Sequence, residues 1–134
     1  MKNIYIFLVF SVCISMVSCI ERSTTDAAKS YELWAGEKPG HGAWAIHGKY
    51  WQSAHFTKEY ITYLELTVVP RWKTEYLSQS HLIVSPDSTF SISDPPLWFK
   101  PKRPYKIWKQ PGNGQILCVE ELASSHVFIF EAQL

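Results

Sequence analysis

The sequence predicts an α+β fold: a small single domain built on a mainly antiparallel β-sheet with one or two short helices, of which a small β-barrel-like sandwich is the variant form. Three observations carry this. β-branched and aromatic residues fill both parities of the run ending at Val69 and of the C-terminal runs QILCVE and HVFIFEAQ, a composition that suits half- or fully buried strands. The short connections QSAH, SPDST, GNG and ELASS punctuate the strand-like runs. Only two stretches, Ala27–Ala35 and the residues after Pro70, space their aromatics three or four apart as a helix would.

In chain order, Ala27, Tyr31 and Trp34 mark a brief helix, and GEKPGHG, with three glycines and a proline, must turn. WAIHGKYW (44–51) pairs antiparallel with FTKEYITYLELTVV (56–69), whose two apolar faces suit a central position in the sheet. Pro70 ends that strand and is tolerated in the first turn of a helix through RWKTEYLSQS, where Trp72 and Tyr76 are four apart. HLIV and TFSIS are short strands flanking the SPDST turn. Residues 94–111 hold five of the eight prolines, so the reading there is an extended or irregular surface segment. QILCVE and HVFIFEAQ form a terminal hairpin with Phe128 and Phe130 on one face and Val127 and Ile129 on the other.

The first residues obey different rules. Lys2 precedes an apolar run from Ile4 to Val17, small Ser18 closes it before Cys19, and no acid occurs until Glu21. A basic n-region, a short h-region and a small residue at the cut are the parts of a secretory signal. An uncleaved membrane anchor and an ordinary signal cut elsewhere are the other readings, although the run is shorter than the roughly 20 residues a spanning helix prefers. Met16-Val17-Ser18-Cys19 resembles the lipobox of bacterial lipoproteins, with Met16 and Val17 in place of the commoner leucine and alanine. The resemblance implies that the Cys19 thiol is alkylated by a diacylglyceryl group and that cleavage leaves Cys19 as the first mature residue. Acyl chains contribute about 0.8 kcal/mol per buried methylene, so two or three of them anchor a protein stably. Residues 1–18 are then a removed signal peptide, 19–30 a lipidated tether, and 31–134 one globular domain. Ile20 rather than aspartate after the cysteine implies, by analogy with enteric sorting, an outer-membrane protein facing the periplasm.

Removal of residues 1–18 leaves 12 basic and 12 acidic residues. A neutral domain is a poor general nucleic-acid binder, because such affinity comes mainly from neutralising phosphates. Cys118 alone remains unassigned; it lies in ILCV and reads as a buried thiol outside any disulfide framework.

Two groups of residues are candidate sites. The segment 97–109, LWFKPKRPYKIWK, gathers Trp98, Phe99, Lys100, Lys102, Arg103, Tyr105 and Trp108, together with Lys106 and Lys109, with no acid between Asp94 and Glu120. Aromatics interleaved with cations suit a protein partner or an anionic envelope glycan. The same aromatics could instead close one end of the core while the lysines face water. The second group is His41, His47 and His55 with Glu59, and farther on His81 and His126; His55 and Glu59, four apart, share a side of an extended strand. There is no HExxH, paired CxxC, GxSxG or GxxxxGK, so no cofactor or metal is expected. The expected function is a non-catalytic, membrane-anchored binding domain, with an immunity-type inhibitor as one such case. The rival is a small periplasmic hydrolase centred on His47, His55 and Glu59.

Overall fold

The computed structural model describes residues 20–55, 57, 59–112 and 114–134. It is an α+β domain, mainly β, in which seven strands form one antiparallel sheet and two helices cover one face. In chain order the elements are β1 (Arg22–Thr24), α1 (Ala27–Ala35), β2 (Ala43–Gln52), β3 (Tyr60–Val68), α2 (Pro70–Gln79), β4 (Ile83–Val84), β5 (Tyr105–Lys109), β6 (Ile116–Glu121) and β7 (His126–Gln133). The sheet order is β1-β2-β3-β7-β6-β5-β4.

The two parities of β3 explain its place between β2 and β7. Leu64, Leu66 and Val68 join Cys118, Val127 and Ile129 in one core, which α1 and α2 close with Tyr31, Trp34, Trp72, Tyr76 and Leu77. Tyr63 joins Ile107, Leu117, Val119 and Phe128 in a second core on the opposite face. There the cover is irregular chain: Phe90, Ile92, Trp98 and Phe99 from the loop between β4 and β5 pack down on the sheet. Two faces buried along β3, β6 and β7 account for the near-continuous apolar runs seen in the sequence.

Local chemistry sets the helix ends. The Asp26 carboxylate caps α1 by accepting a bond from the Lys29 amide at 2.7 Å. Gly36, at φ 77°, ends the helix, its N–H donating to the Glu32 carbonyl. Pro70 occupies the first turn of α2, where its missing N–H costs nothing. The approach of α1 to β2 depends on Gly48: a Cβ there would stand 2.5 Å from Ser30 Cβ and 3.2 Å from Ala27 Cα.

Three expectations need correction. Arg22–Thr24, expected within a tether, pairs with Tyr50–Gln52 and forms an edge of the sheet, and Asp26 caps a helix that starts at Ala27. The β1 pairing rests on backbone hydrogen bonds, which leave no side-chain pattern. TFSIS is not a strand; its Phe90 and Ile92 serve as core cover from a loop. Within the proline-rich segment, Tyr105–Lys109 is strand β5, because the five residues after Pro104 contain no proline and keep their ladder donors.

Candidate functional site

The segment 97–109 does not present one surface. Phe99 is only 5% exposed and packs edge-on against Tyr63 and Phe128, with centroids 6.0 and 5.4 Å away. Alternation along β5 sends Ile107 into the second core while Trp108 lies against the helix-side core and donates from Nε1 to Glu120 Oε2 at 3.0 Å. Lys106 lies over the Trp108 ring and Lys109 pairs with Asp87 at 2.8 Å. Phe99 and Trp108 therefore pack in opposite cores, with Trp98 and Tyr105 on the side of Phe99 and Lys106 over Trp108.

Leu97 is 86% exposed, and Lys100, Lys102 and Arg103, farther along the same segment, are exposed as well. Arg103 donates to the Ser88 carbonyl at 3.0 Å, with its guanidinium 5.0 Å from the Tyr105 ring centroid. Among the described residues, none of these three cations is in an ion pair. Half-buried Trp98 stacks on the imidazole of His47, with centroids 5.2 Å apart and planes 17° from parallel.

His47 links this segment to a second set of residues. Its Nδ1 lies 2.7 Å from Glu65 Oε2, while the other oxygen of Glu65 lies 3.3 Å from Nδ1 of His126. The antiparallel register places Glu65 opposite His47, and His126 opposite Thr67 on the same face. A carboxylate only accepts, so the Nδ1–H of His47 donates to Glu65 and fixes the orientation of the ring. His55 does not join them. It is exposed near the other end of the sheet and has no hydrogen bond to Glu59, whose carbonyl accepts from the Ser53 amide. Sequence spacing found His47, whereas Glu65 and His126 come together only through strand pairing, for which the sequence carries no local signal. Among the described residues no group of three or more His, Cys, Asp or Glu is arranged to hold a metal ion; both imidazoles turn Nδ1 to the carboxylate itself.

Among the described residues, three of the clefts lie elsewhere. One of about 790 Å³ sits by Ile20, Arg22, His55, Tyr60 and Gln133. Another, of about 690 Å³, runs over Lys49, Trp51, Ile61 and Tyr63 beside Asp94. The third, of about 520 Å³, opens between α1 and α2. Buried Cys118 is an inert thiol, since burial, reinforced by Glu120, pushes its pKa up. Cys19 and the rest of the signal-like segment lie outside the described residues, and no helix among the described residues is long and apolar enough to cross a membrane. Comparisons of the chain with protein-family models, curated proteins and solved structures return no match, so the functional reading rests on geometry.

Proposed function

We propose that this is an envelope lipoprotein, anchored through lipid on Cys19, whose non-catalytic domain binds an anionic partner, either an envelope protein or an anionic glycan. An immunity-type inhibitor is one form of that role, and the outer membrane facing the periplasm is its proposed location. The observation that carries the reading is the segment 97–103, in which Leu97, Lys100, Lys102 and Arg103 are exposed and Trp98 is stacked on His47. Exposed apolar, aromatic and cationic side chains within one segment suit a small recognition surface. Its position supports the same reading. Arg22, three residues after Cys19, pairs with Gln52, and His47 stands five residues away along β2, about 17 Å at roughly 3.3 Å per residue. The Trp98–His47 contact is thus displaced along the sheet from the attachment point.

Labelled palmitate incorporation, compared between the wild type and Cys19→Ala, tests the anchor; equal labelling refutes it. Crosslinking capture from the membrane fraction tests the surface. Leu97→Ala with Lys100→Glu and Lys102→Glu should abolish capture of a specific species at unchanged melting temperature, and undiminished capture removes this surface from the proposal.

A small hydrolase is the second reading, favoured by the Glu65-oriented His47. It predicts that Glu65→Gln removes hydrolytic turnover while leaving capture intact.

A further inference from the structure

We infer that the cleft between α1 and α2 binds an alkylammonium group. Two helical rows form its walls: Tyr31 and Trp34 on α1, and Trp72 and Tyr76 on α2. The rings brace one another. Trp72 and Tyr76 are stacked at 5.3 Å, and Trp34 stands edge-on to both Tyr31 and Tyr76 at 5.8 and 5.7 Å. Aromatic rings attract weakly hydrated organic cations through the negative potential of their faces.

The charges around the rings have the matching sign. Glu37, Glu75 and Glu131 line the cleft, and among the described residues no lysine or arginine does; His41 is the ionisable nitrogen base on its wall. The Arg71 partner of Glu75 is 89% exposed and lies outside the cleft lining. Glu131 is held from inside, with one oxygen accepting Trp34 Nε1–H at 2.9 Å and the other the Tyr60 hydroxyl, and it has no cationic partner among the described residues. Glu37 likewise has none.

The Tyr76 hydroxyl is enclosed, so what Tyr76 offers the cleft is its ring. A bare metal ion would demand converging oxygen ligands. Rings at the wall and dispersed carboxylates instead suit a bulky cation with low charge density, and about 520 Å³ accommodates one. The site lies on the face opposite Trp98 and stands independently of the proposed function.

The test uses the full chain in detergent at constant ionic strength, following tryptophan fluorescence and heat. Tetramethylammonium should bind saturably, while the neutral isostere 2,2-dimethylpropanol at equal concentration should not. Glu37→Gln combined with Glu75→Gln, both exposed positions, should weaken binding about tenfold with an unchanged melting temperature. Butylammonium and a lysine-containing tripeptide separate the sources of the group: tighter binding of the peptide assigns a polypeptide side chain, and equal or weaker binding a free amine. A non-saturating response, an equal response to the isostere, or unchanged affinity in the double variant overturns the inference.

Discussion

Gly48→Ala tests the contact that seats α1 and, with it, Trp34 in the wall of the cleft. The added Cβ meets Ser30 Cβ at 2.5 Å, closer than packed carbons come, and Ala27 Cα at 3.2 Å. Ser30 is completely buried, and its hydroxyl has no partner, so neither side has room to yield without moving the helix. Overpacking of this kind costs about 1–3 kcal/mol. At about 2 kcal/mol the melting temperature of a domain this size falls by roughly 8 °C. Ser30→Gly removes the nearer atom. Alone it costs about 0.5 kcal/mol in helix propensity, offset by deleting an unsatisfied buried hydroxyl. In the double variant only the Ala27 contact persists, so the combined loss should fall short of the sum of the single losses by about 1 kcal/mol or more. Urea unfolding of the four proteins measures the cycle. A Gly48→Ala protein as stable as wild type, or strictly additive losses, would show that this close approach does not position α1.

The remaining predictions concern the charged and thiol groups. Burial raises the Glu120 pKa, but hydrogen bonds from Lys73 and Trp108 and the charge of Lys73 outweigh it and hold the carboxyl below its ordinary 4.5. A depressed folded-state value stabilises the fold in full above pH 4.5, and the contribution disappears as pH falls through the lowered value. Melting temperature measured from pH 7 to pH 3 should therefore show an acid-dependent loss in the wild type that Glu120→Gln lacks, and parallel profiles contradict the pairing. Iodoacetamide should leave Cys118 unmodified in the native protein and label it in denaturant, as read by mass spectrometry of its peptide. Glu131→Ala strands the Trp34 and Tyr60 donors and should cost about 2 kcal/mol; Glu131→Gln, which still offers one acceptor, should cost less.

Much of the fold was legible because it is written in parity. β3 showed apolar residues on both faces and proved central, and the terminal hairpin divides Val127 and Ile129 from Phe128 as alternation requires. Pro70 and the Trp72–Tyr76 spacing marked α2. What escaped were elements held by backbone pairing alone. Arg22–Thr24 has no apolar stripe, and Tyr105–Lys109 was hidden by prolines on both sides. The candidate site divided in the same way. Trp98 and His47 stood out as residue types, but their stacking, and the joining of Glu65 to His126, follow from register between strands distant in sequence. Phe99 and Trp108 are legible as aromatics but not as members of opposite cores, because the prolines around Tyr105–Lys109 mask the strand whose alternation turns Trp108 to the helix side.

The early start of β1 changes what an anchor at Cys19 implies. Only Ile20 and Glu21 lie between Cys19 and Arg22, a reach of at most about 10 Å over three residues. Glu21 is further restrained, because its carboxylate accepts the Trp51 Nε1–H at 2.5 Å. A lipid on Cys19 would therefore hold the domain against the headgroups by its β1 edge instead of letting it swing on a flexible leash. An edge strand with unpaired backbone groups invites association with other chains, and membrane contact would cover this one. A domain so held would have a fixed presentation: its orientation, rather than tether length, would decide which partners reach Leu97 and the cations that follow it. Lengthening the linker would then change partner selection without altering a single contact at the binding surface.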